Sequence, residues 1–230
     1  MPTMSTSTIN KNTPAEAAGA ATFRNLYTRV LLSMQAQQHQ VLGVTSAIEG
    51  EGKTTIAAGL ATALAEDGAL LGFGRDTDTT LFVECNAGPP PNDQRWSLHP
   101  GPGLVQVLRG EATLDAAIQT VSVERLAVLP LGEPAHTFPL AIRTAALPDI
   151  MDEMRSRFGL IVLDLPAVLN STDTEVLARL ADQIVLVVRA GVTPAKLVSQ
   201  ALDQLGEEHL LGMVLNDSRS DLPSWLDHRL

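Results

Sequence analysis

The sequence predicts a doubly wound α/β fold with a mostly parallel sheet, and three observations lead there. Apolar runs without alternation recur along the chain, among them LIVLDLP at 160–166, QIVLVVRAG at 183–191 and LLGMVLN at 210–216. Unbroken runs of this kind mark parallel strands covered on both faces. Helical periodicities separate the runs, which is the order that parallel strands need for their crossovers. Finally, 230 residues at 45% hydrophobic composition can bury one substantial core, so a single domain is expected.

Residues 1–20 are rich in Ser, Thr, Asn and Ala without apolar periodicity and read as a disordered arm. From about Ala15 to Gln38, the residues Phe23, Leu26, Tyr27, Val30, Leu31 and Met34 recur at helical spacing and predict an amphipathic helix. QVLGVT at 40–45 reads as the first strand. Behind it Ile56, Leu60 and Leu64 predict a helix that stops at Asp67-Gly68. Residues 69–79 read as a loop or an extra hairpin, and TLFVEC at 80–85 as a strand. Prolines and glycines make 86–102 a long exposed loop.

GLVQVLRG and TLDAAIQT restore helical patterns, and RLAVLP at 125–130 reads as another buried strand. A helix from about Pro139 to Phe158 carries Ile142, Leu147, Ile150, Met151 and Met154, with Pro148 starting a new helix or kinking this one. Further helices are expected near 173–181 and 194–206. The domain is expected to span 21–217, followed by a short tail at 218–230.

Between the first strand and its helix lies VTSAIEGEGKTT. Ala47 to Thr54 fit A-x-x-x-x-G-K-T, the P-loop pattern with alanine in place of its first glycine. Gly50 and Gly52 allow the backbone to wrap a phosphate so that N–H groups and the helix N-terminus face the anion. Lys53 would neutralise the β- and γ-phosphates, the Thr54 hydroxyl would bind Mg²⁺, and Thr55 would reach the α-phosphate. A second metal-side carboxylate is expected at the C-terminal end of another buried strand, and Asp164 in LIVLDLP meets that requirement.

Sixteen Lys and Arg against 26 Asp and Glu give a net charge of −10, which disfavours a nonspecific grip on nucleic acid. One cysteine, Cys85, excludes an intramolecular disulfide framework, and no Cys/His group has zinc spacing. Without a run of eighteen apolar residues or a signal-peptide pattern, a cytoplasmic chain is expected.

Taken together, FRNLYTRVLLS, VTSAIEGEGKTT, GLVQVLRGEATLDAAIQ, FGLIVLDLPAVLNSTDTEVLARLADQIVLVVRAG and LLGMVLN resemble the cytoplasmic ATPase module of bacterial tyrosine autokinases. These are capsular and exopolysaccharide chain-length regulators, P-loop relatives of septum-positioning and partitioning ATPases. Partitioning ATPases carry an extra lysine near the loop's start, where this chain has Ile48. The resemblance implies ATP or ADP bound with Mg²⁺ by Gly50, Glu51, Gly52, Lys53, Thr54 and Thr55, with adenine near Asn216. It further implies metal coordination by Thr54, Glu84 and Asp164, and a catalytic set of Lys53, Glu84 and Asp164. It places the chain peripherally at the inner membrane, beside a membrane polysaccharide co-polymerase, with a homo-oligomer possible and no nucleic acid expected.

Three departures bear on activity. The family's D-x-D-x-R motif falls on Glu84, Cys85, Asn86, Ala87 and Gly88, which keeps one carboxylate and loses a charge and the arginine. A displacement of about 1 Å can cost roughly a hundredfold in phosphoryl transfer. The Glu and two Arg that pair across the family's subunit ring fall on Ala21, Arg24 and Tyr27, and the single tyrosine of the sequence is Tyr27, so the usual tyrosine tail is missing. The expectation is therefore a degenerate, kinase-like ATP-binding protein or weak ATPase serving exopolysaccharide assembly or export. An active tyrosine kinase or ATPase acting in trans, and a partitioning-type positioning ATPase, are the alternatives.

Overall fold

The structure, a computed structural model, describes residues 25–34, 40–71, 79–86, 96–206 and 208–217, with the backbone alone at 67–71. Helix α1 covers 25–34. Strand β1 (Val41–Ser46) leads through the glycine-rich turn into α2 (Lys53–Leu71), and β2 (Thr80–Glu84) follows. Next come α3 (Leu104–Leu108), α4 (Leu114–Ala117), β3 (Gln119–Thr120) and β4 (Leu126–Leu129). A 3₁₀ turn leads into α5 (Phe138–Ala141), α6 (Ala146–Arg157) and β5 (Leu160–Asp164). The chain continues through α7 (Asp173–Ala178), β6 (Gln183–Arg189), α8 (Ala195–Leu205) and β7 (Leu210–Asn216).

Among the described residues, seven strands lie in the order β3-β4-β2-β5-β1-β6-β7. Every pairing is parallel except β3 with β4. Alternate residues of the central strands enter opposite layers, as the strand period of two requires. Leu81, Val83, Ile161 and Leu163 pack with α3, α4, α5, α6 and α7, whereas Phe82, Leu160, Val162, Leu42 and Val44 pack with α1 and α2. Apolar residues on both faces explain why these strands read as unbroken runs. Phe82 meets Trp96 edge to face at 4.8 Å, an orientation that suits the ring quadrupoles.

The start of β1 is fixed by Asp182, which stands just before β6. Its carboxylate accepts the N–H groups of Gln40 and Val41, both at 2.8 Å, and pairs with the Arg155 guanidinium. Burial raises the Asp182 pKa, but the bonds from Arg155, Gln40 and Val41 outweigh it and hold the carboxyl below its ordinary value. Three elements are thereby set in register before the phosphate loop begins.

Several expectations change in detail. Helix α2 does not stop at Asp67-Gly68 but runs to Leu71. An interior glycine costs only about 1 kcal/mol against alanine, which the rest of a long packed helix tolerates. Residues 69–71 are therefore helix and not the start of a loop. The helix read over 139–158 is two, α5 and α6, with Pro148 in the first turn of α6, where its missing N–H costs little. The two-residue strand β3 was not foreseen, because a pair that short has no period to read. The arm at 1–20, the tail at 218–230 and the parts of the two loops at 72–78 and 87–95 lie outside the described residues.

Candidate functional site

The turn between β1 and α2 carries its two glycines in the left-handed region, Gly50 at φ +82° and Gly52 at φ +92°. Glycine adopts these angles without the Cβ penalty, so the backbone doubles back toward α2. At Gly52 there is also no room for a side chain, since a Cβ would lie 2.3 Å from Asn216 Nδ2. Asn216, the last residue of β7, donates that amide to the Glu51 carbonyl at 2.9 Å.

Glu51 fixes the turn from the other side. It is 1% exposed, and its carboxylate accepts the Ile48 N–H at 2.7 Å, the Arg189 N–H at 3.0 Å and the Thr193 hydroxyl. The loop is thus tied to the C-terminal ends of β6 and β7. Sequence reading placed Glu51 and Asn216 among nucleotide contacts; in the fold, the Glu51 side chain and the Asn216 amide nitrogen hold the loop itself.

Lys53 opens α2 and is 4% exposed, with its ammonium 2.6 Å from the Glu49 carboxylate. The next residue, Thr54, donates its hydroxyl to Asp164, at 2.8 Å to one oxygen and 3.1 Å to the other. Asp164 ends β5 and is 2% exposed. Burial, opposed by the Thr54 hydrogen bond and the Lys53 charge and assisted by Glu84 and Glu49, raises its pKa from 3.8 to about 7.

Glu84 ends β2 in register with Asp164. Its carboxylate accepts the Leu131 N–H at 3.2 Å, and of its neighbours it is Cys85 and Asn86 that line the adjoining cavity. Burial above all, then the charges of Asp164 and Glu84, pushes the Cys85 thiol far above its ordinary range. Thr55 is exposed on the first turn of α2.

A cavity of about 710 Å³ opens over the loop, lined by Glu49, Lys53 and Thr54 on one side and by Phe138, Asn170 and Asp173 on the other. Asp173 is nearly buried and pairs with Arg143 at 2.7 Å. The structure therefore brings Gly50, Gly52, Lys53 and Thr54 to the wall of one concavity, with Asp164 buried behind Thr54 and hydrogen-bonded to it, and Glu84 in register with Asp164 on the next strand. The sequence reading missed Glu49 and the Arg143–Asp173 pair. Glu49 had a usable signal, an acid four residues before the lysine; the other pair joins residues 30 positions apart.

The oxygen donors Thr54 and Asp164 suit Mg²⁺, which commonly takes one or two carboxylates and leaves its other positions to phosphates and water. Among the described residues no cluster of three His, Cys, Asp or Glu forms a self-sufficient metal site. A buried carboxylate whose pKa is raised is a charge short of a cation, so the donor set fits the ion.

No family model matches the chain. It is 32% identical over 202 residues to the succinoglycan biosynthesis transport protein ExoP of Rhizobium meliloti, where the match takes 86% of this chain and 25% of the relative, so the chain spans about a quarter of that protein. It is 25% identical over 210 residues to the tyrosine-protein kinase YwqD of Bacillus subtilis, over 90% of this chain and 84% of the relative. Among solved structures, the VpsO kinase domain superposes with a TM-score of 0.74 at 26% identity, covering 87% of this chain and 95% of that one. The septum-site protein MinD of Pyrococcus horikoshii, solved with Mg-ADP, superposes with a TM-score of 0.62 at 23% identity over 81% of this chain and 75% of its own, a likeness of fold. With the phosphate loop opening α2, the acid ending β5 and relatives of this kind, the chain belongs to the bacterial tyrosine-kinase family of capsular and exopolysaccharide proteins.

Proposed function

We propose that this chain binds ATP or ADP with Mg²⁺ at the Gly50–Thr55 loop and serves exopolysaccharide biosynthesis or export beside a membrane polysaccharide co-polymerase. The observation that carries the reading is the approach of the Thr54 hydroxyl to both oxygens of the buried Asp164, a carboxylate that also feels the charge of Lys53. An ammonium, a hydroxyl and a carboxylate at the mouth of a glycine turn are the parts that hold a magnesium-bound phosphate chain.

In this reading the loop N–H groups and the N-terminus of α2 face the phosphates, and Lys53 neutralises their terminal charge. Glu51 and Asn216 keep the loop in its bound curvature. Asp164 gives up the proton that burial lets it hold and, with Thr54, supplies the metal's protein ligands. Bound Mg²⁺ would neutralise charge that develops on the phosphate oxygens. The base stands near the end of β7, where Asn216 lies.

Turnover is slow in this proposal, as a pseudokinase or weak ATPase. Asn86 takes the place of the family's second acid, and Glu84 spends a carboxylate oxygen on the Leu131 N–H. A second reading, an active kinase or ATPase acting in trans, is favoured by one observation: Glu84 keeps a carboxylate in register with Asp164. Docking on the co-polymerase would hold the chain peripherally at the inner membrane on its cytoplasmic side. No described helix is long and apolar enough to cross a membrane.

Equilibrium binding of a fluorescent ATP analogue tests the reading. Affinity that requires Mg²⁺ and falls about ten- to a hundredfold in Lys53→Ala, the worth of one charge-assisted bond, supports it. Binding indifferent to both removes it. Labelled phosphate transfer to a partner protein, absent in Lys53→Ala, would select the second reading.

A further inference from the structure

Glu49 lies inside the phosphate loop, and its position gives it a role of its own. One carboxylate oxygen stands 2.6 Å from Lys53 Nζ, and the other accepts the Ala167 N–H at 3.4 Å from the turn after β5. An ammonium and a backbone N–H are the donors that a phosphate oxygen would take in the same place. Lys53 is 4% exposed, whereas the Glu49 side chain is 51% exposed and lines the cavity. Gly50, next in the chain, has open space where a Cβ would stand.

We propose that Glu49 is a built-in competitor for the nucleotide's phosphates, resting on the reading of the loop given above. In the ligand-free protein its carboxylate neutralises the buried Lys53 ammonium and bridges the loop to the turn at Ala167. An entering phosphate chain exchanges one anion for another, and Glu49 swings into solvent. The affinity of the site is then the difference between two ion pairs, and the exchange also releases the Ala167 N–H. Nucleotide occupancy is in this way coupled to the turn that leads into α7.

Calorimetric titration of the full chain, its Glu49→Gln and Glu49→Ala variants and Lys53→Ala with Mg-ADP, inorganic pyrophosphate and adenosine tests the exchange, with circular dichroism to confirm that each variant is folded. Removing a half-exposed partner of this kind should tighten ADP and pyrophosphate by about two- to fivefold and leave adenosine unchanged. The ligand-free Glu49 variants should also melt lower than the parent, since Lys53 is left buried without its carboxylate, while saturating Mg-ADP closes that gap. Unchanged or weaker ADP binding in both Glu49 variants, with Lys53→Ala still losing it, overturns the competitor and leaves the nucleotide site standing. Equal tightening of adenosine likewise overturns it, because the gain is then not at the phosphates. A parent that binds neither ADP nor pyrophosphate overturns both.

Discussion

Asp164 is the residue through which this site should respond to pH. The unfolded chain gives up its proton near 3.8 and the native protein near 7, so between those values the native state binds the extra proton. Stability at this position accordingly falls as pH rises through that window, by about 1.4 kcal/mol per pH unit. Asp164→Asn removes the penalty, and the ligand-free variant should melt higher than the parent at pH 7.5 while losing the Mg²⁺ requirement for nucleotide binding. Melting curves from pH 5 to 8 with and without Mg-ADP check both halves, and a variant less stable at pH 7.5 would refute the first. Lys53, Thr54 and Asp164 were legible in the sequence because each stands at a local signal, the G-K-T triplet or an apolar run ending in an acid. The anchoring work of Glu51 was not, since its partners Arg189 and Thr193 lie 138 and 142 positions away.

Among the elements, the glycine turn offers a comparison between two positions of similar backbone and different surroundings. Gly50 and Gly52 both have positive φ, but only at Gly52 would a Cβ meet another group, the Asn216 amide. Gly50→Ala should therefore cost only the left-handed penalty, about 1–2 kcal/mol, and Gly52→Ala that amount plus the displaced bond to Glu51. Urea unfolding of the two variants measures the difference, and equal costs would mean that Asn216 does not hold the turn. The central strands could be read almost to the residue, because burial on both faces leaves an unbroken apolar run; β7 shows the same run at the sheet edge, where Met213 and Leu215 are exposed instead of covered. Helix ends were harder: α2 overran its glycine stop, and α5 and α6 were read as one, because packing decides what a single glycine or proline only biases. β3 pairs through Gln119 and Thr120 alone, too short to leave any pattern.

For the whole molecule, the charge of −10 predicts indifference to nucleic acid. Duplex DNA should not be retarded by the chain at 50 mM salt with or without ATP, and salt-sensitive retardation would revive a partitioning role. Mg-ADP, in contrast, should stabilise the fold by about 2.7 kcal/mol at a hundred times its dissociation constant, read as a rise in melting temperature. The strand order has a consequence of another kind. β1 pairs with β5 and β6 and not with β2, so two strands made in succession are not neighbours in the sheet. Thr54 and Asp164 are 110 positions apart, and at about 5–20 residues per second a ribosome needs roughly 5–20 s to join them. For that interval the nascent chain carries the whole G-K-T signature and no site, and an interrupted product would keep the signature without ever gaining the carboxylate that completes it.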